Sequence, residues 1–85
     1  MDYKINIHPS AIKDLDSLPD KEAQKILTRI LNLEKDPRPV GTQKLNTTEG
    51  YRIRSGKYRI LFEVNDKIKV INIFRVKHRK DVYRK

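Results

Sequence analysis

Residues 51–60 read YRIRSGKYRI, two runs in which cationic residues alternate with aliphatic or aromatic ones on either side of Ser-Gly. Ser-Gly between such runs is a signal for a two-residue β-hairpin turn. With Ser55 and Gly56 as the turn, the expected cross-strand pairs are Arg54 with Lys57, Ile53 with Tyr58, Arg52 with Arg59 and Tyr51 with Ile60. Period-two alternation then gives one apolar face and one cationic face, the latter formed by Arg52, Arg54, Lys57 and Arg59. Like charges directly opposite one another destabilise a sheet by roughly 0.2–1 kcal/mol per pair, so we expect this cationic face to bind an anion.

Positive charge is concentrated in the C-terminal part of the chain. The 85 residues include 20 lysines and arginines and 11 acidic residues, a formal net charge of +9. Residues 1–49 carry eight basic and eight acidic side chains, whereas residues 50–85 carry twelve basic and three acidic ones. Such segregation favours nucleic acid, an anionic membrane surface or an acidic protein as the partner.

Length and composition exclude several classes of protein. The chain contains no cysteine, which excludes disulfides, thiolate catalysis and cysteine-ligated metals. No apolar run approaches the ~18 residues that a membrane span needs, and the N-terminus does not have the pattern of a signal peptide. We expect one small domain over residues 1–85, cytoplasmic and without a membrane partner.

The apolar pattern of the chain predicts the element order β-α-α-β-β-β. Residues 3–8 alternate as a strand, and residues 9–18 and 20–36 have the apolar spacing of two helices joined at a proline. The last strand, residues 68–76, is apolar on both sides, which suggests a central position in the sheet. We therefore expect an α+β fold, in which a helical hairpin packs on one face of a small, mainly antiparallel four-stranded sheet.

A second basic segment, KHRKDVYRK, ends the chain at residues 77–85. RNA cleavage by attack of the ribose 2′-OH needs a proton acceptor, a proton donor and cationic stabilisation of the phosphorane. Histidine as a residue type changes charge near neutral pH, so His78 could act as an acid or a base, and Tyr83 could stack on a base or transfer a proton. The alternatives are a solvated cationic face and a frayed basic terminus. We interpret Glu63 as an ion-pair partner on the cationic face. The two histidines are far apart in the sequence and have no cluster of carboxylates beside them, so we expect no metal site and no cofactor.

Taken together, GYRIRSGKYRILFEV (residues 50–64) and VINIFRVKHRKDVYRK (residues 70–85) resemble the RelE/ParE superfamily of toxins, and the RelE branch more than the ParE branch. The similarity extends to the predicted helices and to LEKDPRP, residues 33–39. The resemblance implies a RelE-like fold and a ribosome-dependent endoribonuclease, or mRNA interferase, that cuts mRNA in the ribosomal A site beside 16S rRNA. It also implies a cognate RelB-like antitoxin that neutralises the basic face.

The resemblance also assigns roles to residues. The residues placed at catalytic positions are Arg52, Arg54, Arg59, Arg79 and Tyr83. Of these, Arg59 would stabilise the phosphate, Arg79 the leaving group or transition state, and Tyr83 would stack on or activate the nucleotide. The neighbouring residues expected to bind RNA are Lys57, His78, Lys80 and Arg84.

One departure from the family pattern bears on the mechanism. Well-studied bacterial members have lysines at the positions of Arg52 and Arg54, and arginine does not release its proton. This shifts acid–base chemistry toward Tyr83, His78 or, as a proton donor that depends on its environment, Arg79. Two other functions stay open: a ParE-like inhibitor of DNA gyrase without nuclease activity, and a non-toxic RNA-binding module.

Overall fold

The computed structural model describes residues 2–45 and 50–78. Its elements, in chain order, are β1 (Lys4–Ile7), α1 (Pro9–Asp16), α2 (Asp20–Asn32), β2 (Gln43–Lys44), β3 (Gly50–Ser55), β4 (Tyr58–Asn65) and β5 (Val70–His78). The strands form one sheet in the order β1-β5-β4-β3-β2, in which β1 is parallel to β5 and the other neighbours are antiparallel. The predicted α+β fold and the central position of the last strand are confirmed.

The sheet has five strands, not the four that we predicted. The additional strand, β2, is only two residues long and pairs Gln43 with Arg52 and Lys44 with Tyr51. Both of its residues are polar and exposed. Because neither residue is apolar, the sequence shows no alternation of apolar and polar residues here. Only the pairing with β3 identifies β2 as a strand.

Both helices contribute apolar side chains to a core on one face of the sheet. α1 contributes Ala11 and Leu15, and α2 with its C-cap contributes Ile26, Ile30 and Leu33. The sheet residues of this core are Ile53, Ile60, Phe62, Ile71, Ile73 and Val76. Pro9 begins α1, where its missing N–H breaks no helical hydrogen bond. α2 begins directly after Pro19. Asp20 and Glu22 lie in its first turn, where the helix dipole stabilises negative charge.

The hairpin turn lies one residue further along the chain than predicted. Ser55 pairs with Tyr58, so Gly56 and Lys57 form the turn. Gly56 has a φ of 62°, and a glycine with positive φ at the first turn position is the hallmark of a type II′ hairpin turn. Each residue of β3 therefore pairs with a residue of β4 that lies two positions further along than predicted. A shift of two positions keeps every strand residue on its predicted face of the sheet. Lys57 alone leaves the predicted cationic strand face and lies in the turn.

A bulge and a carboxylate shape the C-terminal half of β5. Leu61 pairs with Arg75 and Phe62 with Ile73, so Phe74 has no residue opposite it on β4. β1 ends at Ile7, and beyond this point Asp14 of α1 takes the place of a strand neighbour. Its carboxylate accepts hydrogen bonds from the Val76 N–H at 2.8 Å and from the Arg75 guanidinium at 2.9 and 3.2 Å.

These contacts also set the ionisation of Asp14. Burial acts to raise the pKa of the Asp14 carboxyl, but the hydrogen bonds from Arg75 and Val76 and the charges of Arg75 and Lys77 outweigh burial. The pKa therefore lies below its usual value. Asp14 is ionised at neutral pH and fixes the β5 segment from Arg75 onward to α1.

At the opposite end of β4, Asp66 joins three separate parts of the chain. Its carboxylate accepts hydrogen bonds from the Tyr3 hydroxyl at 2.6 Å and from Arg38 Nη2 at 2.8 Å. The Arg38 guanidinium also lies 5.1 Å from the centre of the Tyr51 ring, within the range of a cation–π contact. The hydrogen bonds from Arg38 and Tyr3 lower the pKa of Asp66. This cluster ties β1 and the loop after α2 to the β4–β5 turn.

Candidate functional site

A row of cations crosses three adjacent strands on the sheet face opposite the helices. Arg54 of β3 lies directly opposite Arg59 of β4, and Arg59 lies directly opposite Lys77 of β5. Directly opposed residues have Cβ atoms about 4.5–5.5 Å apart. We call Arg54, Arg59 and Lys77 the cation row. It lies beside the hairpin turn and can hold an anionic group over the strands, because arginine and lysine both donate charge-assisted hydrogen bonds to phosphate.

Arg59 occupies the centre of the cation row and is almost fully buried, with 4% of its surface exposed. Arginine is rarely buried to this extent, and the arginine side chain stays positively charged in proteins. The fixed position favours a preorganised electrostatic role, in which a charge already in place meets charge that develops on a substrate.

Lys77 was not among the predicted site residues, whereas its neighbour His78 was. The register places Lys77 beside Arg59, but His78 opposite Tyr58, on the side of the sheet that carries Ile60 and Val76. The His78 and Tyr58 rings meet edge to face with 5.4 Å between their centres. Alternation along β5 predicts that Lys77 and His78 face opposite sides of the sheet. The bulge at Phe74 interrupts this alternation, however, so only the pairing with β4 shows which side each residue faces.

Glu63 does not form the ion pair that we predicted. Its carboxylate accepts a hydrogen bond from Asn72 Nδ2 at 3.1 Å, and Asn72 in turn accepts one from Asn6 Nδ2 at 2.9 Å. The two ion pairs within residues 2–45 and 50–78 are Arg38–Asp66 and Arg75–Asp14. Glu63 is therefore part of a row of hydrogen-bonded polar side chains across β4, β5 and β1. The strand register places the amide of Asn72, rather than an arginine, opposite Glu63 on β5.

Arg52 and Arg54 also line a pocket of about 330 Å³ at the edge of β3, next to the point where β2 begins. The other lining residues are Arg29, Gly41, Gln43 and Ile53. Gln43 Oε1 accepts a hydrogen bond from Arg52 Nε at 2.9 Å and so orients this guanidinium. We call this feature the arginine pocket. Of the six lining residues that belong to the described part of the chain, three are arginines and none is a carboxylate.

Arg29 is the member of the arginine pocket that sequence analysis missed. In the sequence it is one more polar position of α2, 23 residues before Arg52. Its Nε is shielded from solvent and has no hydrogen-bond partner among the described residues. A buried donor without a partner costs about 1–3 kcal/mol, so the position of Arg29 is not explained by stability.

Four of the predicted site residues belong to the basic segment at the end of the chain. Arg79, Lys80, Tyr83 and Arg84 lie outside the described residues.

Among the residues described, no group of three or more histidine, cysteine or acidic side chains could hold a metal ion. Neither helix of the described chain has the length and apolar character to cross a membrane.

Comparison with known proteins gives the family. The model of the ParE toxin of type II toxin–antitoxin systems matches residues 5–83. The toxin RelG of Mycobacterium tuberculosis is 30% identical over 87 residues, which cover 100% of both chains.

Two solved structures share the fold over nearly the whole chain. A chain of the archaeal RelE–RelB complex from Pyrococcus horikoshii is 38% identical, with a TM-score of 0.83 over 93% of this chain and 97% of that one. A chain of the RelB–RelE complex from Methanococcus jannaschii is 28% identical, with a TM-score of 0.75 over 93% and 95% of the two chains. The chain thus belongs to the RelE/ParE superfamily of toxins from type II toxin–antitoxin systems.

Proposed function

We propose that this toxin is a ribosome-dependent endoribonuclease that cleaves mRNA in the ribosomal A site and so inhibits translation. The observation that carries the proposal is the cation row, in which three opposed cations form a site for one anionic group. A phosphodiester fits such a site because its charge increases as the phosphorane forms. The RelE names of its relatives support the same activity.

In the proposed reaction the ribose 2′-oxygen attacks the adjacent phosphorus. The bond from the 2′-oxygen to phosphorus forms and the bond from phosphorus to the 5′-oxygen breaks, which leaves a cyclic phosphate and a 5′-hydroxyl. The 2′-OH proton leaves to a base, and the 5′-oxygen receives a proton from an acid. Arg59, with Arg54 and Lys77 on either side, stabilises the additional negative charge.

The acid and the base are groups other than the arginines of β3 and β4, because these stay protonated. We assign contact with the nucleotide and proton transfer to Tyr83, and stabilisation of the leaving group or transition state to Arg79, as the family resemblance implies. His78 faces the other side of the sheet from Arg59, so any contact of His78 with RNA lies away from the scissile phosphate. We also assign RNA binding to Lys57, which lies in the hairpin turn, and to Lys80 and Arg84.

We further propose two macromolecular partners. The first is the ribosome, where 16S rRNA and the A-site mRNA meet the basic surface. The second is a RelB-like antitoxin, supported by the similarity to chains from two RelE–RelB complexes. An antitoxin that neutralises this toxin would cover the cation row with acidic or apolar groups.

The test is primer extension on a translated mRNA in a reconstituted system, with and without ribosomes. The wild-type toxin should produce cuts only when ribosomes are present, and Arg54→Gln and Arg59→Ala should reduce them. Because Arg59 is buried, circular dichroism must show that Arg59→Ala is folded, whereas the exposed Arg54 gives a variant with little risk to folding. Unchanged cutting by both folded variants would exclude the cation row as the reaction site.

A second candidate function is inhibition of DNA gyrase without nuclease activity, which the match to the ParE family model favours. This function predicts loss of supercoiling by purified gyrase in the presence of the toxin, with translation intact. If no cuts appear in the reconstituted system and supercoiling is blocked, the second function replaces the first.

A further inference from the structure

The arginine pocket has a composition that suits an anion. Arg29, Arg52 and Arg54 come from two elements, α2 and β3, and line a common space of about 330 Å³. Only Arg52 among them has a hydrogen bond to a lining side chain, from its Nε to Gln43. Neither ion pair of the described chain involves these arginines. Three like charges around one space repel one another, and a bound anion would remove this repulsion.

The position of the pocket indicates which anion. Arg54 belongs both to the arginine pocket and to the cation row, because it lines the pocket and lies opposite Arg59. Neighbouring strands are about 4.8 Å apart, so the pocket begins one strand away from Arg59. A polyanion whose charge repeats along its length can occupy both places at once, whereas a single carboxylate can occupy only one.

We infer that the arginine pocket holds a second backbone phosphate of the RNA strand whose scissile phosphate lies at the cation row, and that Arg29 is a binding residue for it. The inference rests on the proposed function. Arg29 would position the RNA without taking part in the chemistry. Gln43 would hold the Arg52 guanidinium in place for the same phosphate.

The inference is tested by binding rather than by cleavage. The probe is a short, fluorescently labelled 2′-O-methyl RNA, which lacks the attacking hydroxyl, and affinity is measured by anisotropy over a range of salt concentrations. The variants are Arg29→Gln, Arg29→Lys and, as a matched control, Lys25→Gln. Lys25 is an exposed cation one helical turn before Arg29 that does not line the pocket.

Loss of one phosphate contact lowers the slope of log affinity against log salt by about 0.7 for single strands, which corresponds to about fivefold at 0.1 M salt. We expect this change for Arg29→Gln, little change for Arg29→Lys and none for Lys25→Gln. A structural role for Arg29 would change the unfolding temperature without changing the slope. The inference fails if Arg29→Gln has the slope of the wild type, or if Lys25→Gln has an equal effect.

Two further measurements separate the possible failures. If Arg29→Gln keeps the RNA slope but weakens binding of an acidic peptide, the pocket serves a protein partner and the inference is wrong. The ribosome assay reports separately on the proposed function. Wild-type cutting together with an unchanged slope in Arg29→Gln would overturn only the inference. Absence of cutting by the wild type, together with a reduced slope in Arg29→Gln, would overturn only the nuclease function.

Discussion

Arg54 of β3 and Arg59 of β4 lie directly opposite each other in the antiparallel register, and Arg59 is almost fully buried. Opposed like charges destabilise a sheet, so this pair lowers the stability of the hairpin. A site that must bind an anion requires the pair, whereas folding does not. Stability and activity should therefore respond in opposite directions when Arg54 is changed.

The first prediction concerns this opposition. Arg54→Glu places a carboxylate opposite Arg59 and should raise the free energy of unfolding by about 0.5 kcal/mol, within the range for cross-strand charge pairs. The same change should abolish RNA cleavage in the ribosome assay, because the phosphate meets a negative charge. Urea unfolding and primer extension measure the two effects. Lys25→Glu, on the exposed surface of α2, is the control and should leave cleavage intact; a destabilised Arg54→Glu protein would contradict the argument.

The second prediction concerns the turn that sets this register. Gly56 has a φ of 62°, and an L-residue in the left-handed region costs about 1–2 kcal/mol. Gly56→Ala should lower the free energy of unfolding by about that amount, although the space around Gly56 is open. Thermal unfolding compared with Ser55→Ala, a substitution on the preceding strand residue, measures the effect. Equal midpoints for the two variants would show that the turn is not strained.

The apolar pattern was sufficient to predict the helices, the core face and the separation of the arginines from it. Ile53 and Ile60 face the core and Arg54 and Arg59 the opposite side, as alternation requires. The register was wrong, because Ser-Gly and Gly-Lys are both acceptable two-residue turns in this sequence. The two choices differ by a two-residue shift in pairing that keeps every strand residue on its face, so the hydrophobic pattern could not select between them.

The arginine pocket and Lys77 could not be predicted for a different reason. Arg29 and Arg52 are brought together by the packing of α2 on the sheet, and this contact leaves no periodic signal in the sequence. Lys77 reaches the cation row only through the pairing that follows the bulge at Phe74. Local patterns give the face of a residue, whereas its neighbours on that face depend on register and packing.

The third prediction concerns pH. The pKa of Asp14 is lower in the folded protein than its unfolded value of about 3.9. Its contribution to stability is thus fully present well above that value and is lost as pH falls through the lower, folded pKa. Asp14→Asn removes an acceptor for Arg75 and Val76 and should lower the free energy of unfolding at pH 7 by about 1–3 kcal/mol.

The difference between Asp14→Asn and the wild type should shrink as the pH is lowered from about 5 toward 2, because the wild-type carboxyl becomes neutral as well. Urea unfolding at several pH values measures this difference. Asp16→Asn is the matched control, since Asp16 is exposed on the same helix and should show almost no difference at any pH. A difference between Asp14→Asn and the wild type that stays constant over this range would mean that Asp14 acts through packing rather than charge.

The fourth prediction separates two adjacent residues of β5. Lys77 lies opposite Arg59 in the cation row, whereas His78 lies opposite Tyr58 on the other side of the sheet. Lys77→Gln should therefore reduce kcat/KM for ribosome-dependent cleavage by about tenfold, which corresponds to about 1.4 kcal/mol of transition-state stabilisation. His78→Gln should change it by less than about twofold and should leave the pH profile unchanged, since an imidazole on the opposite face is not in reach of the phosphate. Single-turnover cleavage across pH 5–9 measures both variants. If His78→Gln removes a limb of the pH profile while Lys77→Gln behaves as the wild type, the reaction takes place on the other face of the sheet and the cation row is not the active site.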